Sequence, residues 1–412
     1  MKPEESVDNS RVETSHDAMV ESTTSISSPA RVRKKSNKIL DDQTTISDLL
    51  PSDILMDILK LLPAKTLVRF LSVSKLWSSI LRRQDFKKLF LTESSKQPQR
   101  LFFIPSQDED KVKDCVLFSL ETHDSGEALI AALHHKTNLA YPYTNNTSHV
   151  RDLVCFGTNF ASDELVVHNT STRRSITLPK LDSQSFYVVK QFLSYDPIDD
   201  VYKVLCMTRR RVTAEGSETF QVLTLGNENS WRMIEGAWHT YTPTSYGICI
   251  DGVLYYQVST DKETRYSISF VSFDVKSEQF NLINRPGDGG YLGLTIMMRY
   301  EGKLGIISTY MNIKDSLVFW VLEDAMKHEW LKKVIDFTDP WPLHQKYRFV
   351  DFNDDAGEFV LAPCSWCEPP YYVYYYDPKT NILRKVPITG YERQPNFPTY
   401  LFTRQVESLM FL

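Results

Sequence analysis

No apolar run in this 412-residue sequence reaches the ~18 residues that a membrane-spanning helix needs. The opening MKPEESVDNS holds no apolar block, so no secretory leader is expected. Cysteine is scarce: six, scattered from Cys115 to Cys367, suit a reducing compartment better than a disulfide scaffold. Neither sign of charge dominates, since 47 Lys and Arg against 52 Asp and Glu leave −5. That balance argues against a bulk electrostatic grip on nucleic acid. The G-x-S-x-G, H-E-x-x-H and P-loop signatures are missing as well. What remains is a soluble intracellular protein with neither membrane nor nucleic acid as partner. Its 42% hydrophobic residues suffice for a sizeable core, and its length suits two or three domains.

Residues 1–45 are polar, rich in Ser and Thr, and nearly free of large apolar side chains. Such a segment cannot offset its ordering entropy by burial, so a disordered tail is expected. Within it Arg31, Arg33, Lys34, Lys35 and Lys38 form a basic cluster, read as a nuclear-import address, an anion-binding patch or a solvated run without a role. The expected location is nucleus, cytoplasm or both.

Residues 46–92 change to helical periodicity. Ile54, Leu55, Ile58, Leu59 and Leu62 are expected on one face of a helix near 52–62, started by Pro51-Ser52 and stopped by Pro63. Leu67, Phe70 and Leu71 suit a second, Val73, Leu76, Trp77, Ile80 and Leu81 a third, and 85–91 a last turn or two. Between Leu49 and Leu91, 22 of 43 residues are Val, Ile, Leu, Met, Phe or Trp. A unit that small buries only about 60% of its chain surface alone. The downstream domain or a partner protein must cover the remainder.

From about residue 96 the pattern turns to strands separated by Asp, Asn, Gly and Pro clusters. A hydrophobic strand, a turn anchor and a bulky residue six positions later recur: Leu225 with Trp231, Asp274 with Phe280, Asp324 with Trp330, and Asp377 with Leu383. Asn169 with Ile176 fits more loosely. Spacings of 56, 49, 50 and 53 point to four-stranded blades of a kelch-like β-propeller. An Asp or Asn anchor can bond the turn backbone through its side chain, and the later bulky residue packs between sheets. Inner hairpins are expected at 193–207, 247–257, 294–307 and 347–361, and a degenerate first unit at 100–135. That makes about six blades, with Tyr400–Leu412 closing the ring; five blades, seven or a sandwich pair remain open. The fold class is therefore a small helical unit followed by an all-β domain over 96–412.

Other residues offer weak chemistry. Cys364 and Cys367 form a C-x-x-C without a second ligand pair for zinc. His134-His135 is the one adjacent histidine pair. Asp199-Asp200, Asp274 and Asp354-Asp355 read as turn carboxylates, Arg209–Arg211 as a solvated turn or an anion grip, and the tyrosines of 371–376 as strand packing.

Leu50-Pro51, Asp53, Ile58-Leu59, Leu62-Pro63, Leu67, Arg69 and Val73-Ser-Lys-Leu-Trp77 together resemble an F-box. The β zone is similar to the F-box-associated domain of plant F-box proteins. Segments that carry this include Val167–Arg174, Ser194–Pro197, Asp251–Tyr255, Tyr300–Leu304, Trp320–Asp324 and Tyr375–Pro378. His168 and Thr170 depart from that family's usual Trp-Asn-Pro-Ser-Thr-Arg. The resemblance implies the substrate-recognition subunit of an SCF-type cullin–RING ubiquitin ligase. It would be non-catalytic, without cofactor or metal, and bound to a Skp-family adaptor and through it to the cullin and RING subunits, with an unknown protein as target. It also implies adaptor-binding positions: Leu50, Pro51, Ile54, Leu55, Ile58, Leu59, Leu62, Leu67, Val73 and Trp77. Two alternatives stay open, a propeller-fold hydrolase and an F-box scaffold that does not support degradation. Convergent polar groups at the propeller mouth would favour the hydrolase.

Overall fold

The computed structural model describes residues 50–97, 100–105, 115–122, 128–137, 147–156, 165–181, 186–210, 218–226, 230–235, 241–260, 268–287, 295–308, 316–337, 347–363, 370–391 and 399–410. The basic cluster at 31–38, the Cys364–Cys367 pair and Arg211 lie outside the described residues. No helix among the described residues is long and apolar enough to cross a membrane.

Among the described residues four short helices come first: α1 (Ser52–Leu59), α2 (Ala64–Phe70), α3 (Lys75–Arg82) and α4 (Gln84–Ser94). Pro51 and Pro63 hold extended backbone at ψ near 143–144° and start α1 and α2. Proline suits those places because the first helical N–H groups have no intrahelical acceptor. Pro63 is thus the start of α2 more than the stop of α1, which already ends at Leu59. The Ser74 hydroxyl accepts from Leu76 N–H at 3.1 Å and caps α3. Leu55, Leu59, Ala64, Leu67, Ile80, Leu81, Phe86 and Phe90 close the core of this unit, joined by Leu409 from the far end of the chain.

Twenty-five strands follow among the described residues, grouped in six blades. Blade 2 is β4 (Thr147–Val150), β5 (Leu153–Phe156), β6 (Val166–Asn169) and β7 (Arg174–Thr177). Blade 3 is β8 (Phe186–Asp196), β9 (Val201–Arg210), β10 (Glu218–Thr224) and β11 (Arg232–Met233). In blade 4, β12 (Thr242–Pro243) and β13 (Ile248–Ile250) share the inner position beside β14 (Val253–Ser259), with β15 (Ile268–Asp274) and β16 (Phe280–Ile283) outside. Blade 5 is β17 (Thr295–Tyr300), β18 (Lys303–Ser308), β19 (Ser316–Asp324) and β20 (Glu329–Asp336). Blade 6 is β21 (Tyr347–Asn353), β22 (Glu358–Pro363), β23 (Tyr372–Asp377) and β24 (Ile382–Thr389). Blade 1 is made from both ends of the domain: β1 (Arg100–Pro105), β2 (Cys115–Thr122) and β3 (Leu129–Thr137), with β25 (Thr399–Gln405) as its innermost strand. A short parallel contact sets Ile388-Thr389 of β24 against Leu129-Ile130 of β3. The fold class expected from the sequence is the one observed, with six blades.

The period-50 anchors are the turns between the third and fourth strands of blades 2–6. Asn169 Oδ1 accepts from Ser171 and Thr172 N–H, each at 2.8 Å. Asp324 Oδ1 accepts from Met326 and Lys327, Asp274 Oδ1 from Ser277, and Asp377 Oδ1 from Lys379. The bulky residues that follow in blades 3–6 join the apolar cluster shared with the preceding blade: Trp231 between blades 2 and 3, Phe280 between 3 and 4, Trp330 between 4 and 5, Leu383 between 5 and 6; Ile176 of blade 2, the loose fit, packs instead toward blade 3. Two further clusters fill the 6–1 and 1–2 seams, one apolar core for every blade interface.

Antiparallel pairing gives the ring two unlike ends. At one end most turns have two residues (151–152, 251–252, 301–302) or four (170–173, 197–200, 325–328, 354–357, 378–381), with 275–279, 123–128 and 225–231 the longer ones. At the other, every connection is seven residues or longer, among them 157–165, 211–217, 284–294, 309–315 and 337–346. The helical unit joins at the short-turn end, where Arg100 of β1 stands opposite Gln405 of β25.

Candidate functional site

The ten positions carried over from the F-box pattern divide sharply. Leu55, Leu59 and Leu67 are buried in the unit's own core, and Leu50 and Leu62 are half-buried against it. Trp77 is half-buried, edge-on to Phe70 with ring centroids 4.4 Å apart. Pro51, Ile54, Ile58 and Val73 face outward; Ile54 is 46% exposed, Ile58 49% and Val73 66%. The sequence reading set residues 54, 55, 58 and 59 on one face. At 100° per residue the run instead has two apolar faces, 55/59 inward and 54/58 outward. Leu61, 68% exposed, extends the outer stripe at spacing i, i+4, i+7 and was not singled out from the sequence, although that spacing points to it. An outward aliphatic stripe on so small a unit has the character of a docking face.

A second feature is the joint between the helices and the propeller, made by the tail that follows β25. Glu407 Oε2 accepts the Ala64 N–H at 2.9 Å, capping α2, and its other oxygen pairs with Arg100. Ser408 N–H donates to Asp152 Oδ2 at 2.8 Å, while Asn169 Nδ2 donates to Ser408 Oγ and to the Met410 carbonyl, each at 3.3 Å. Leu409 then drops into the helical core. The Asn169–Thr172 segment, part of the motif that resembles the F-box-associated family, is fully buried and serves as the tail's socket. Burial pushes the Asp152 carboxyl up to about 6 against the hydrogen bonds that Ser171 and Ser408 supply. Part of the surplus apolar surface of the helices is therefore covered within the chain, by Leu409.

The third feature is the central channel near the short-turn end, a cavity of about 270 Å³. Polar groups do converge there, the arrangement set above as favouring an enzyme. Arg404 Nε donates to Asp351 Oδ2 at 2.7 Å and its Nη1 to Asp354 Oδ2 at 3.1 Å; Arg299 Nη2 reaches Asp251 Oδ2 at 3.3 Å. These carboxylates are held by guanidiniums that cannot give up a proton, so they form a clasp across blades 1, 4, 5 and 6, not a general acid–base pair.

The remaining candidates resolve into packing. His134 and His135 on β3 meet His168 on β6, whose ring stacks on His135 at 3.9 Å between centroids. Burial holds His168 far below the ordinary imidazole range and His134 down to about 4. No group of His, Cys, Asp and Glu among the described residues is arranged to hold a metal ion. Asp200 accepts the Tyr195 hydroxyl at 2.8 Å and Asp199 pairs with Lys276. Tyr374 and Tyr376 are buried between blades 5 and 6, while Tyr375 lies under the Arg384 guanidinium.

Residues 48–89 match the F-box domain, and residues 100–409 match the F-box associated beta propeller domain. The chain is 38% identical over 420 residues to F-box protein At2g21930 of Arabidopsis thaliana, covering 92% of this chain and 99% of that one. It is 35% identical over 400 residues to Putative F-box protein At4g38870 of the same species, covering 92% and 91%. Among solved structures it is similar to an oligogalacturonate lyase in complex with manganese, with a TM-score of 0.40 and 9% identity over 69% of this chain and 78% of that one. With both domains matched in order along one chain, this protein belongs to the plant F-box proteins that carry an F-box-associated β-propeller.

Proposed function

We propose that this chain is the substrate-recognition subunit of an SCF-type cullin–RING ubiquitin ligase, and that it docks a Skp-family adaptor through the outward stripe Ile54, Ile58 and Leu61, with Pro51 and Val73 beside it. The observation that carries this reading is the exposure of those aliphatic side chains on a unit whose own core is already complete. Covering them releases about 25 cal/mol per Å² of apolar surface. The target protein then binds the opposite, long-connection end of the propeller, where loop chemistry varies freely over a fixed scaffold. Ubiquitin transfer occurs on other subunits, and this chain raises the local concentration of target lysines by holding target and adaptor at a set separation.

The test is co-purification of the full chain with a Skp-family adaptor. Ile54→Asp combined with Ile58→Asp abolishes capture and leaves thermal unfolding of the chain unchanged. Leu55→Asp, by contrast, unfolds the helices, because it places a charge in their core. Capture that survives the double substitution refutes the assigned face.

A further inference from the structure

Ile54 and Ile58 stand on α1, a helix of eight residues, or roughly two turns. A helix that short has little stability of its own, so packing of its inner face must supply the rest. The inner residues Leu55 and Leu59 share one apolar cluster with Leu409. Leu409 lies four positions past Gln405, where β25 ends, and β25 is the strand that closes the ring on β1. The tail is fastened beside that closure. Glu407 pairs with Arg100 at the start of β1, while Asp152 and Asn169 of blade 2 hold Ser408 and Met410. The joint therefore has two arrangements. With β25 paired to β1, Leu409 fills the helical cluster and Glu407 caps α2 from 343 positions away. With β25 drawn off β1, the tail loses its fastening, the Ala64 N–H loses its acceptor, and a void opens in the cluster that holds Leu55 and Leu59. Ile54 and Ile58 are the sequence neighbours of those two leucines on the same short helix, so the outer face cannot keep its shape when the inner face loses its support.

We propose that adaptor docking and closure of the propeller ring are coupled through residues 406–410. The helices present Ile54, Ile58 and Leu61 in a binding-competent arrangement while β25 is paired and the tail is seated, and a bound adaptor in turn holds the ring shut. The coupling rests on the receptor reading, which makes the stripe the adaptor's face, and adds a dependence that the stripe alone does not require. It is reciprocal by thermodynamic necessity: the factor by which opening of β25 weakens docking is the factor by which docking suppresses that opening. The consequence is a check on the receptor. A ring that has opened has also lost the fixed scaffold under its long connections, and the same event removes the chain from the ligase.

Hydrogen exchange of the full chain, with and without a purified Skp-family adaptor, tests this without any substitution. With adaptor at ten times its Kd, the amides of β1 and β25 exchange more slowly, by up to about tenfold. Those of β14 and β15 in blade 4, away from the closure, keep their rates. Isothermal titration of variants reads the other direction. Leu409→Ala and Arg404→Ala, neither of them on the stripe, weaken adaptor binding by roughly threefold or more, because a smaller fraction of the chain is competent. Phe280→Ala loosens the seam between blades 3 and 4 instead and binds as the parent does. The coupling is overturned, with the receptor reading intact, if the parent binds adaptor yet β25 exchanges at an unchanged rate. Parent-like binding by Leu409→Ala and Arg404→Ala, or equal weakening by Phe280→Ala, overturns it as well. A parent chain that does not bind the adaptor at all refutes the receptor reading, and the coupling with it.

Discussion

Arg404, on the last strand of the chain, donates through Nε to Asp351 Oδ2 on blade 6 at 2.7 Å. A bulge produces this contact. The β1–β25 register passes from Arg100 opposite Gln405 to Phe102 opposite Phe402, so Thr403 and Arg404 share a single partner position. Arg404 takes the left-handed φ of 58° that such a bulge requires. The guanidinium then also reaches Asp354 and the carbonyls of Arg299 and Phe352. One side chain thus ties the closing strand to two other blades.

Removing it should open the ring. Arg404→Ala leaves the buried Asp351 carboxylate without its cation, a change of the kind that typically destabilises by ~3–5 kcal/mol. Arg404→Lys recovers little, since a single ammonium cannot span the same acceptors. Urea unfolding of the full chain measures this, and a midpoint unchanged in Arg404→Ala would remove the clasp from the account.

The tail makes the helical unit depend on the far end of the sequence. Leu409 is 2% exposed in the helical core, so Leu409→Ala leaves a cavity there, of the sort that costs about 2–5 kcal/mol. Deleting residues 406–412 also strips the cap from α2. Limited proteolysis should then cleave within 50–97 before the blades, and adaptor capture should fall. Equal cleavage rates with and without the tail would show that the helices stand alone.

Much of this architecture was legible in the sequence because it is local. The turn anchors at 169, 274, 324 and 377 announce themselves by residue type and spacing, and the turns form where they stand. The partition of α1 into inner and outer faces was also present in its periodicity, but both faces are apolar, and only packing shows which is buried. The clasp and the tail were not legible. Arg404–Asp351 and Glu407–Ala64 join residues 53 and 343 positions apart, and nothing in either neighbourhood names the other. The one available signal for Arg404 was a charged residue inside the strand YLFTRQ. His168 likewise meets His135 only once blades 1 and 2 pack side by side.

Acid should loosen the 1–2 seam. His168 is fully buried and held far below its ordinary range by burial, while burial brings His134 and His149 down to about 4. In the unfolded chain all three take a proton near pH 6.5. Between about pH 6.5 and 4 the unfolded state binds more protons, so stability falls with pH, by up to ~1.4 kcal/mol per unit for each histidine. Asp152 opposes this below about pH 6, since its raised value makes the folded state the one that holds the extra proton. Burial also lowers His135 and raises Asp351, so four imidazoles against two carboxyls leave a net loss. The urea midpoint should be lower at pH 5 than at pH 7.5, and the difference smaller in His168→Phe; an identical difference in that variant would clear His168 of the effect.

Blade 2 uses asparagine where blades 4, 5 and 6 use aspartate, and the tail supplies the reason. A carboxylate suffices at 274, 324 and 377, where the side chain acts as acceptor alone, for turn N–H groups, for the Ser277 and Thr380 hydroxyls and for the exposed Lys327 ammonium. At 169 the same acceptor role falls to Oδ1, while Nδ2 must donate to Ser408 Oγ and the Met410 carbonyl. Asn169→Asp therefore keeps the turn, loses both bonds to the tail and sets a second buried carboxyl beside the seat held by Asp152. Asn169→Ala loses turn and tail together. The exposed swap Asp324→Asn keeps its acceptor oxygen and should change the unfolding midpoint little. Asn169→Asp should lower the midpoint and speed proteolysis of the 406–412 tail. If Asn169→Asp and Asp324→Asn proved equally mild, the amide at 169 would be a turn cap and nothing more.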